Sequence, residues 1–357
     1  MTMMNAPSGS WTPTVSVDEM AEWIGSMRTC VLLTHLKPDG DALGSTLALA
    51  RAINLSRRTT GAVSAAECWY AAPMPEWAPA LMGSTKVRTI EPGQPAPGAF
   101  DPEAVIICDT GSWAQLEPFR VFIEERLERT AIIDHHLQGD AEIADHRLLD
   151  TTAAAAVQPV AGVCCRLLGV DSPARLPLEV ATPLYVGLAT DTGWFRHSNV
   201  DAGVMRLAAD LLEAGVNHSA LMEMIEQNDR ASRLRLMARA LGNLDFVPAK
   251  HAVFMSLTTE DYRIAGAAPG ESGGFVDLPR TVPNIRVAIL LTEQEDAQGV
   301  FTKVSMRSKP TGWDGKEPVD VNAVCQTFGG GGHARASGAR IRAPIAEAKK
   351  QIIEALP

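Results

Sequence analysis

The chain has 357 residues, enough for about two domains at roughly 150 residues each. Hydrophobic residues make up 46% and charged residues 21%, which excludes wholesale disorder, a collagen-like fibre and a low-complexity scaffold. The formal charge is −10, from 32 Lys plus Arg against 42 Asp plus Glu; this argues against a general grip on long duplex DNA but leaves room for a small anion held through cations.

In chain order, Met1–Pro13 lacks the basic start and apolar run of a secretory signal and reads as a short disordered tail. Cys30–Thr34 is an apolar, β-branched run that predicts a buried strand and leads into His35-Leu-Lys-Pro-Asp-Gly-Asp41. Helical spacing follows over Ala42–Leu55, with Leu43, Leu47, Ala50 and Ile53 on one face. Val63–Tyr70 is a weaker strand. Ala104–Cys108 is a strong one and ends at Asp109-Thr-Gly. Pro118–Arg129 predicts a helix opened by its proline, and Thr130–Ile133 a third strand that ends at Asp134-His135-His136. Ala153–Leu168 and Leu178–Thr190 predict helices, the second running into Asp191-Thr-Gly-Trp. Val200–Leu244 is helix-rich and predicts a link between two lobes. From His251 the pattern turns to short strands over 252–257, 286–291 and 300–306, then Gly329-Gly330-Gly331-Gly332-His333 and a last helix over 346–356. Strands alternating with helices predict a doubly wound parallel sheet, followed by a smaller α+β domain. In such sheets ligands gather at the carboxyl ends of strands.

No run approaches eighteen apolar residues, so no membrane-spanning helix is expected. Six cysteines (Cys30, Cys68, Cys108, Cys164, Cys165, Cys325), none in a Cys-x-x-Cys pair, predict a reducing cytoplasm.

His35, Asp39, Asp41, Asp109, Asp134, His135, His136 and Asp191 stand at strand or helix ends. Carboxylate oxygen and imidazole nitrogen suit divalent cations, and without a thiolate the set favours manganese or magnesium over structural zinc. Asp39, Asp41, Asp109 and Asp191 carry a charge that two divalent cations would cancel. A single strand-end aspartate is as readily a turn former or a helix cap. The triplet is rarer: with 20 Asp and 8 His, a chance Asp-His-His has a probability on the order of 0.01.

These residues, with Thr34–Ser45, Ile107–Thr110, Ala189–Phe195, Val304–Ser308 and Phe328–His333, resemble the DHH/DHHA1 phosphoesterase superfamily, which includes RecJ-type exonucleases. The stand-alone NrnA branch, nanoRNases that also dephosphorylate 3′-phosphoadenosine 5′-phosphate (pAp), is the most similar. The resemblance spans about residues 15–342. It implies a catalytic domain over 15–196 after a tail over 1–14, a helical linker over 197–245, a substrate-binding domain over 246–357, and an active cleft between the domains. It implies two divalent cations, manganese first and magnesium second. His35 and Asp39 match the ligands of one, Asp41, His135 and Asp191 those of the other, and Asp109 the bridging carboxylate. His136 matches the residue that faces the scissile phosphate, with Asp134 orienting a neighbouring imidazole. Arg307, Ser308, Gly330, Gly331, Gly332 and His333 match the group that grips the terminal nucleotide, where glycine amides and a forked guanidinium suit an anion. Asp145 and His146 match no motif position and read as surface residues. Trp69, Trp77, Trp113 and Trp194 read as packing residues, Trp194 being placed to line the cleft.

The expected activity is hydrolysis of short oligoribonucleotides to mononucleotides and of pAp to AMP, by an enzyme without a covalent intermediate, a membrane or long DNA among its partners. A homodimer is a further implication. Two alternatives stand beside it: an enzyme of the same fold acting on cyclic dinucleotides or pApA, and a nucleotide-binding regulatory module without turnover.

Overall fold

The computed structural model describes residues 10–60, 65–91, 93–94, 100–309 and 317–357. The chain divides into two compact units, Met1–Gln227 and Asn228–Pro357. In chain order the first holds α1 (Val17–Ser26), β1 (Thr29–Leu33), α2 (Gly40–Thr60), β2 (Ala65–Ala71), α3 (Ala78–Met82), β3 (Val87–Ile90), β4 (Ala104–Cys108), α4 (Arg120–Glu124), β5 (Thr130–Asp134), β6 (His146–Leu149), α5 (Val157–Leu168), α6 (Leu178–Asp191), α7 (Ala202–Glu213) and α8 (His218–Glu226). The second holds α9 (Ala231–Gly242), β7 (Asp245–Val247), β8 (Ala252–Leu257), α10 (Thr259–Ala265), β9 (Val287–Asp296), β10 (Gly299–Ser308), α11 (Val321–Gln326), β11 (Gly331–His333), β12 (Ala336–Ile341) and α12 (Ile345–Ala355). The helix-rich segment is thus shared, with α7 and α8 in the first unit and α9 in the second.

The first sheet runs β3-β2-β1-β4-β5-β6 with parallel pairing throughout. The order reverses between β1 and β4, so the carboxyl ends of those strands flank a switch point. Strand alternation fills two layers. Cys30, Leu32, Ile106, Cys108 and Ile133 join one core with α2, α5 and α6. Val31, Leu33, Val105, Ile107 and Ile132 pack with Trp69, Leu116, Phe119 and Ile123 on the other side. Each fully buried Leu, Ile or Phe here contributes about 1.5–3 kcal/mol. The six cysteines are all buried free thiols, and burial pushes those of Cys108 and Cys164 up, away from the nucleophilic thiolate.

Three differences from expectation have local causes. The helix expected over 118–129 is broken into a 3-10 turn at Glu117–Phe119, the short α4, and a second 3-10 turn at Leu127–Arg129. Arg126 leaves helical geometry (φ −139°) and turns its guanidinium inward to the Phe122 carbonyl at 3.0 Å and Asp101 at 3.1 Å. His146 is not a plain surface residue: it opens edge strand β6 and stacks on Trp23 with ring centres 5.0 Å apart. In the stretch expected as a tail, Thr14 donates its hydroxyl to the Asp145 carbonyl at 2.6 Å and its amide to the Arg147 carbonyl at 2.8 Å. Met1–Gly9 of that stretch, and Val63 and Ser64 of the second expected strand, lie outside the described residues.

The second unit carries a mixed sheet, β11-β12-β10-β9-β8-β7, in which only β8 and β9 run parallel. Among the described residues no helix is long and apolar enough to cross a membrane.

Candidate metal centre

Three parallel strands deliver the polar cluster. β1 leads into His35, β4 into Asp109, and β5 ends in Asp134 before His135 and His136. The α2 start adds Asp39 and Asp41, and the α6 end adds Asp191. The aspartates also serve the backbone. Asp39 accepts the Asp41 and Ala42 amides at 3.1 Å and so caps α2. Asp41 is fully buried and accepts the Ala156 and Val157 amides at 2.5 and 3.0 Å. It thereby caps α5, which has no side-chain cap of its own. Asp109 adopts a left-handed φ of 62°, which aspartate tolerates better than most residues.

Asp109 stands between two donor sets. Its Oδ2 lies 3.5 Å from His35 Nε2 and its Oδ1 3.4 Å from His135 Nε2. His35 Nε2 is also 3.7 Å from Asp39, and His135 Nε2 is 3.6 Å from Asp191 and 3.9 Å from Asp41. Ligand atoms of His35, Asp39 and Asp109, of Asp41, His135 and Asp191, and of Asp109, His135 and His136 each fall within 4.8 Å of one another. Both inward-facing imidazoles are held from behind: His35 Nδ1 by the Leu36 carbonyl at 2.8 Å, His135 Nδ1 by the Ala153 carbonyl at 3.2 Å. Such a bond fixes the tautomer that leaves Nε2 free to ligate. Asp134 Oδ1 takes the His135 amide and His136 Nδ1, each at 2.7 Å. His136 is half exposed, with its ring on the pocket.

The pocket has a volume of about 280 Å³ and is lined by His35, Asp39, Asp109, Thr110, Gln115, His135, His136 and Asp191, with no lysine or arginine among the described residues. The crowded carboxylates shift the pKa values of their neighbours. Burial, then Asp109 and Asp39, pushes Asp191 up to about 6. Burial, then Asp109 and Asp191, pushes Asp41 well up. Burial opposes the charge of His35 and His135, but the surrounding carboxylates prevail and raise them to about 10 and about 9. A carboxylate at the C-terminal end of α6 also faces the negative end of the helix dipole. Oxygen and imidazole donors, oriented from behind and short of positive charge, fit divalent cations.

A larger hollow of about 580 Å³, beside Arg51, Pro177 and Leu221, holds none of these groups, so size alone does not mark the site.

The family described as DHH family, N-terminal domain, matches residues 29–188, and the DHHA1 domain matches residues 260–356. A Thermus thermophilus protein named bifunctional oligoribonuclease and PAP phosphatase NrnA is 31% identical over 331 residues, covering 91% of this chain and 88% of that protein. The chain belongs to the DHH family. A Bacillus subtilis protein of the same name is 24% identical, covering 90% of this chain and 92% of that one. The crystal structure of an exopolyphosphatase-related protein from Bacteroides fragilis shares the fold, with a TM-score of 0.80 at 22% identity and 95% of each chain covered.

In this DHH chain, Trp11 contributes to the site from outside the matched segment. Its indole Nε1 donates to the His136 carbonyl at 3.0 Å. Its ring lies on Gly111 and Gly139, where a Cβ would come within 1.9 and 2.6 Å of it. Asp140 ties the same loops together: its amide donates to the Gly111 carbonyl at 2.7 Å, and its carboxylate accepts the Trp113 amide at 2.8 Å. Sequence reading gave Trp11 to the tail; the small residues Gly111 and Gly139 after two strand ends were the available signal. We expect Trp11→Ala to lower kcat roughly tenfold by releasing the His136 backbone, with KM and cation-induced stabilisation little changed. Trp11→Phe, which keeps the ring but not the donor, should fall between. Steady-state kinetics beside thermal melts check this.

The expected nucleotide-gripping residues of the second unit divide between two faces. Arg307 is one-third exposed and lies 3.8 Å from Asp277, which Arg280 already engages at 2.6 Å. Ser308 turns to the opposite face and is buried. Arg307 pairs across the sheet with Ala336, and Ala336 with His333, so Arg307 and His333 share a level two strands apart. Gly330 and Gly332 are required by packing: a Cβ would lie 2.2 Å from the Gly338 carbonyl and 2.6 Å from that of Ala336. At Gly331 a Cβ would make only ordinary contact, 3.9 Å from Asn322 Oδ1. Of the tryptophans, Trp69 is fully buried, and Trp194 sits three residues past Asp191, donating to Glu226 at 2.9 Å.

Proposed function

We propose that this chain hydrolyses phosphate esters of short oligoribonucleotides, releasing mononucleotides, and converts pAp to AMP, using two divalent cations with manganese preferred. The observation that carries the reading is the Asp109 carboxylate, which turns one oxygen to the His35–Asp39 pair and the other to His135. His35 and Asp39 would hold one cation, Asp41, His135 and Asp191 the other, and Asp109 both. When bound, the cations supply Lewis-acid neutralisation of phosphate charge and lower the pKa of water. The chain's own groups do the rest. The Leu36 and Ala153 carbonyls keep the two imidazoles aimed inward. The hydrogen bond that Asp134 accepts from His136 Nδ1 raises the His136 pKa, so its imidazolium can donate to a phosphate oxygen or to the departing oxygen. Arg307 and His333 would hold the nucleotide. The names borne by the Thermus thermophilus and Bacillus subtilis relatives support the substrate class.

A panel with manganese tests it: pAp, a di- to pentaribonucleotide series, and a cyclic dinucleotide. Release of AMP and mononucleotides is expected. Turnover of the cyclic dinucleotide alone would overturn the reading in favour of the other enzyme, and no turnover of any would favour a binding module.

Cation loading has its own signature. Manganese in the micromolar range should raise the Tm, because a ligand of the folded state stabilises by mass action and relieves the carboxylate repulsion. The effect depends on pH with a definite sign. His35 and His135 have folded pKa values of about 10 and about 9, above the ordinary value of about 6.5. Their contribution to the bare fold is full below that ordinary value and is lost as pH rises through 9 to 10. Cations must displace these protons, so apparent affinity rises with pH, roughly tenfold per unit for each proton displaced. The Tm gap between loaded and bare protein should therefore widen from pH 6.5 to 9. A gap that narrows over this range would count against these two ligands.

A further inference from the structure

The second sheet has one face that its core does not use fully. Along β10, alternation sends Val304 and Met306 into the layer of α11 and α12, and Lys303, Ser305 and Arg307 to the opposite face. Along β12 it sends Ala339 and Ile341 inward and Ala336, Gly338 and Arg340 outward. The core under α9 and α10 takes Val253, Met255, Ala288 and Leu290 from β8 and β9, and nothing from β10 or β12.

Register orders that face into levels. Arg307, Ala336 and His333 form one level, Ser305, Gly338 and Gly331 the next, and Lys303 and Arg340 stand directly opposite each other beyond them. Four residues along an antiparallel strand separate the two cationic levels by about 13–14 Å. The residues between are small. A pocket of about 370 Å³ opens at the outer level, with Ser305, Gly329, Gly330 and Gly338 also in its wall.

Two cations facing each other across a strand pair repel. Among the described residues, neither Lys303 nor Arg340 meets a carboxylate at ion-pair distance. The charge of Asp296 reaches Arg340, but Arg342 holds that carboxylate in two bonds of 2.7 Å. The Arg340 guanidinium rests over the Phe301 ring, 5.4 Å from its centre, which steadies it. A repelling pair over a pocket without acids is satisfied by an anion.

We propose that Lys303 and Arg340 form a second phosphate position, which takes an internal phosphate of an oligonucleotide whose end lies at the Arg307–His333 level. The span exceeds the distance between adjacent phosphates of a strand, so the two levels take non-adjacent ones. This rests on the reading above that the second unit grips the nucleotide, and it makes the pair a determinant of chain length.

The test uses the full-length chain and the double variant Lys303→Ala/Arg340→Ala, with Lys350→Ala on the exposed side of α12 as a charge control. Anisotropy of a labelled pentaribonucleotide in EDTA gives Kd, and turnover in manganese gives KM and kcat. For the double variant we expect Kd and KM for the pentanucleotide to rise about tenfold or more. The slope of log Kd against log salt should lessen by about 1.4, from two single-strand contacts. The loss should shrink as the oligomer shortens, with kcat retained and the Tm kept or raised as repulsion is relieved. Pentanucleotide binding equal to wild type, an equal loss for a dinucleotide, or the same loss in Lys350→Ala would overturn the proposal. So would a linear polyphosphate that competes as well as the pentanucleotide. A wild-type protein that binds the pentanucleotide through this pair but releases no mononucleotide would support the site and overturn the hydrolytic reading, so the two failures are distinguishable.

Discussion

Asp109→Asn is expected to lower kcat/KM by roughly a thousandfold or more, about 4 kcal/mol of transition-state stabilisation. The two oxygens of Asp109 face different imidazoles, at 3.5 and 3.4 Å, so the change removes charge from both donor sets at once. Asparagine is the informative substitution. It keeps the side-chain shape and tolerates the left-handed φ of 62°. Alanine at that φ would add about 1–2 kcal/mol of backbone strain and confuse folding with chemistry. Near neutral pH the bare variant should melt close to the bare wild type, because Asp109 repels Asp41 and Asp191 but also pairs with His35 and His135. Its Tm should, however, no longer climb with manganese. Activity within a few-fold of wild type would reduce Asp109 to a turn residue and remove the central support for a two-cation site.

The second large effect separates grip from chemistry. Arg307→Ala and His333→Ala should each lower kcat/KM on a short RNA by roughly ten- to more than a hundredfold, the loss of a charge-assisted phosphate contact worth about 1.5–3 kcal/mol. Asp277 is already paired with Arg280 at 2.6 Å, so Arg307 is available to a ligand and its removal strands no buried acid. A generic diester such as bis-nitrophenyl phosphate offers no nucleotide to hold, and both variants should cut it nearly as well as the parent. His135→Ala should abolish both activities, since His135 faces Asp41, Asp109 and Asp191 together. Equal loss of both activities in folded, cation-responsive Arg307→Ala would show that the second unit acts in the chemical step itself.

Much of the first unit was legible because its signals are local. Five-residue, largely apolar strands lead into His35 and Asp109 and close on Asp134, and a buried parallel strand reads as a near-continuous hydrophobic run. Alternating strands and helices gave the class of fold. Other local signals went unread: the Ser16–Glu19 capping box opens α1, and strict alternation along β10 would have parted Arg307 from Ser308. The strand Ala336–Ile341 holds a single β-branched residue, Ile341, after Ala-Ser-Gly-Ala-Arg, and so carries little β-propensity signal; pairing with β10 and β11 makes it a strand.

The sequence by itself determined which residue types end each strand, and so the chemistry available there: carboxylate and imidazole, without a thiolate. Only the tertiary structure decided how these donors combine. Strand order is a non-local choice, and placing β4 between β1 and β5 is what sets Asp109 between His35 and His135. It turned Asp41 into the cap of a helix more than a hundred residues away. It also brought Trp11 under the His136 backbone, 125 residues on. Distance along the chain carries no information about such contacts, because they form only when burial of both sheet faces fixes which strands are neighbours.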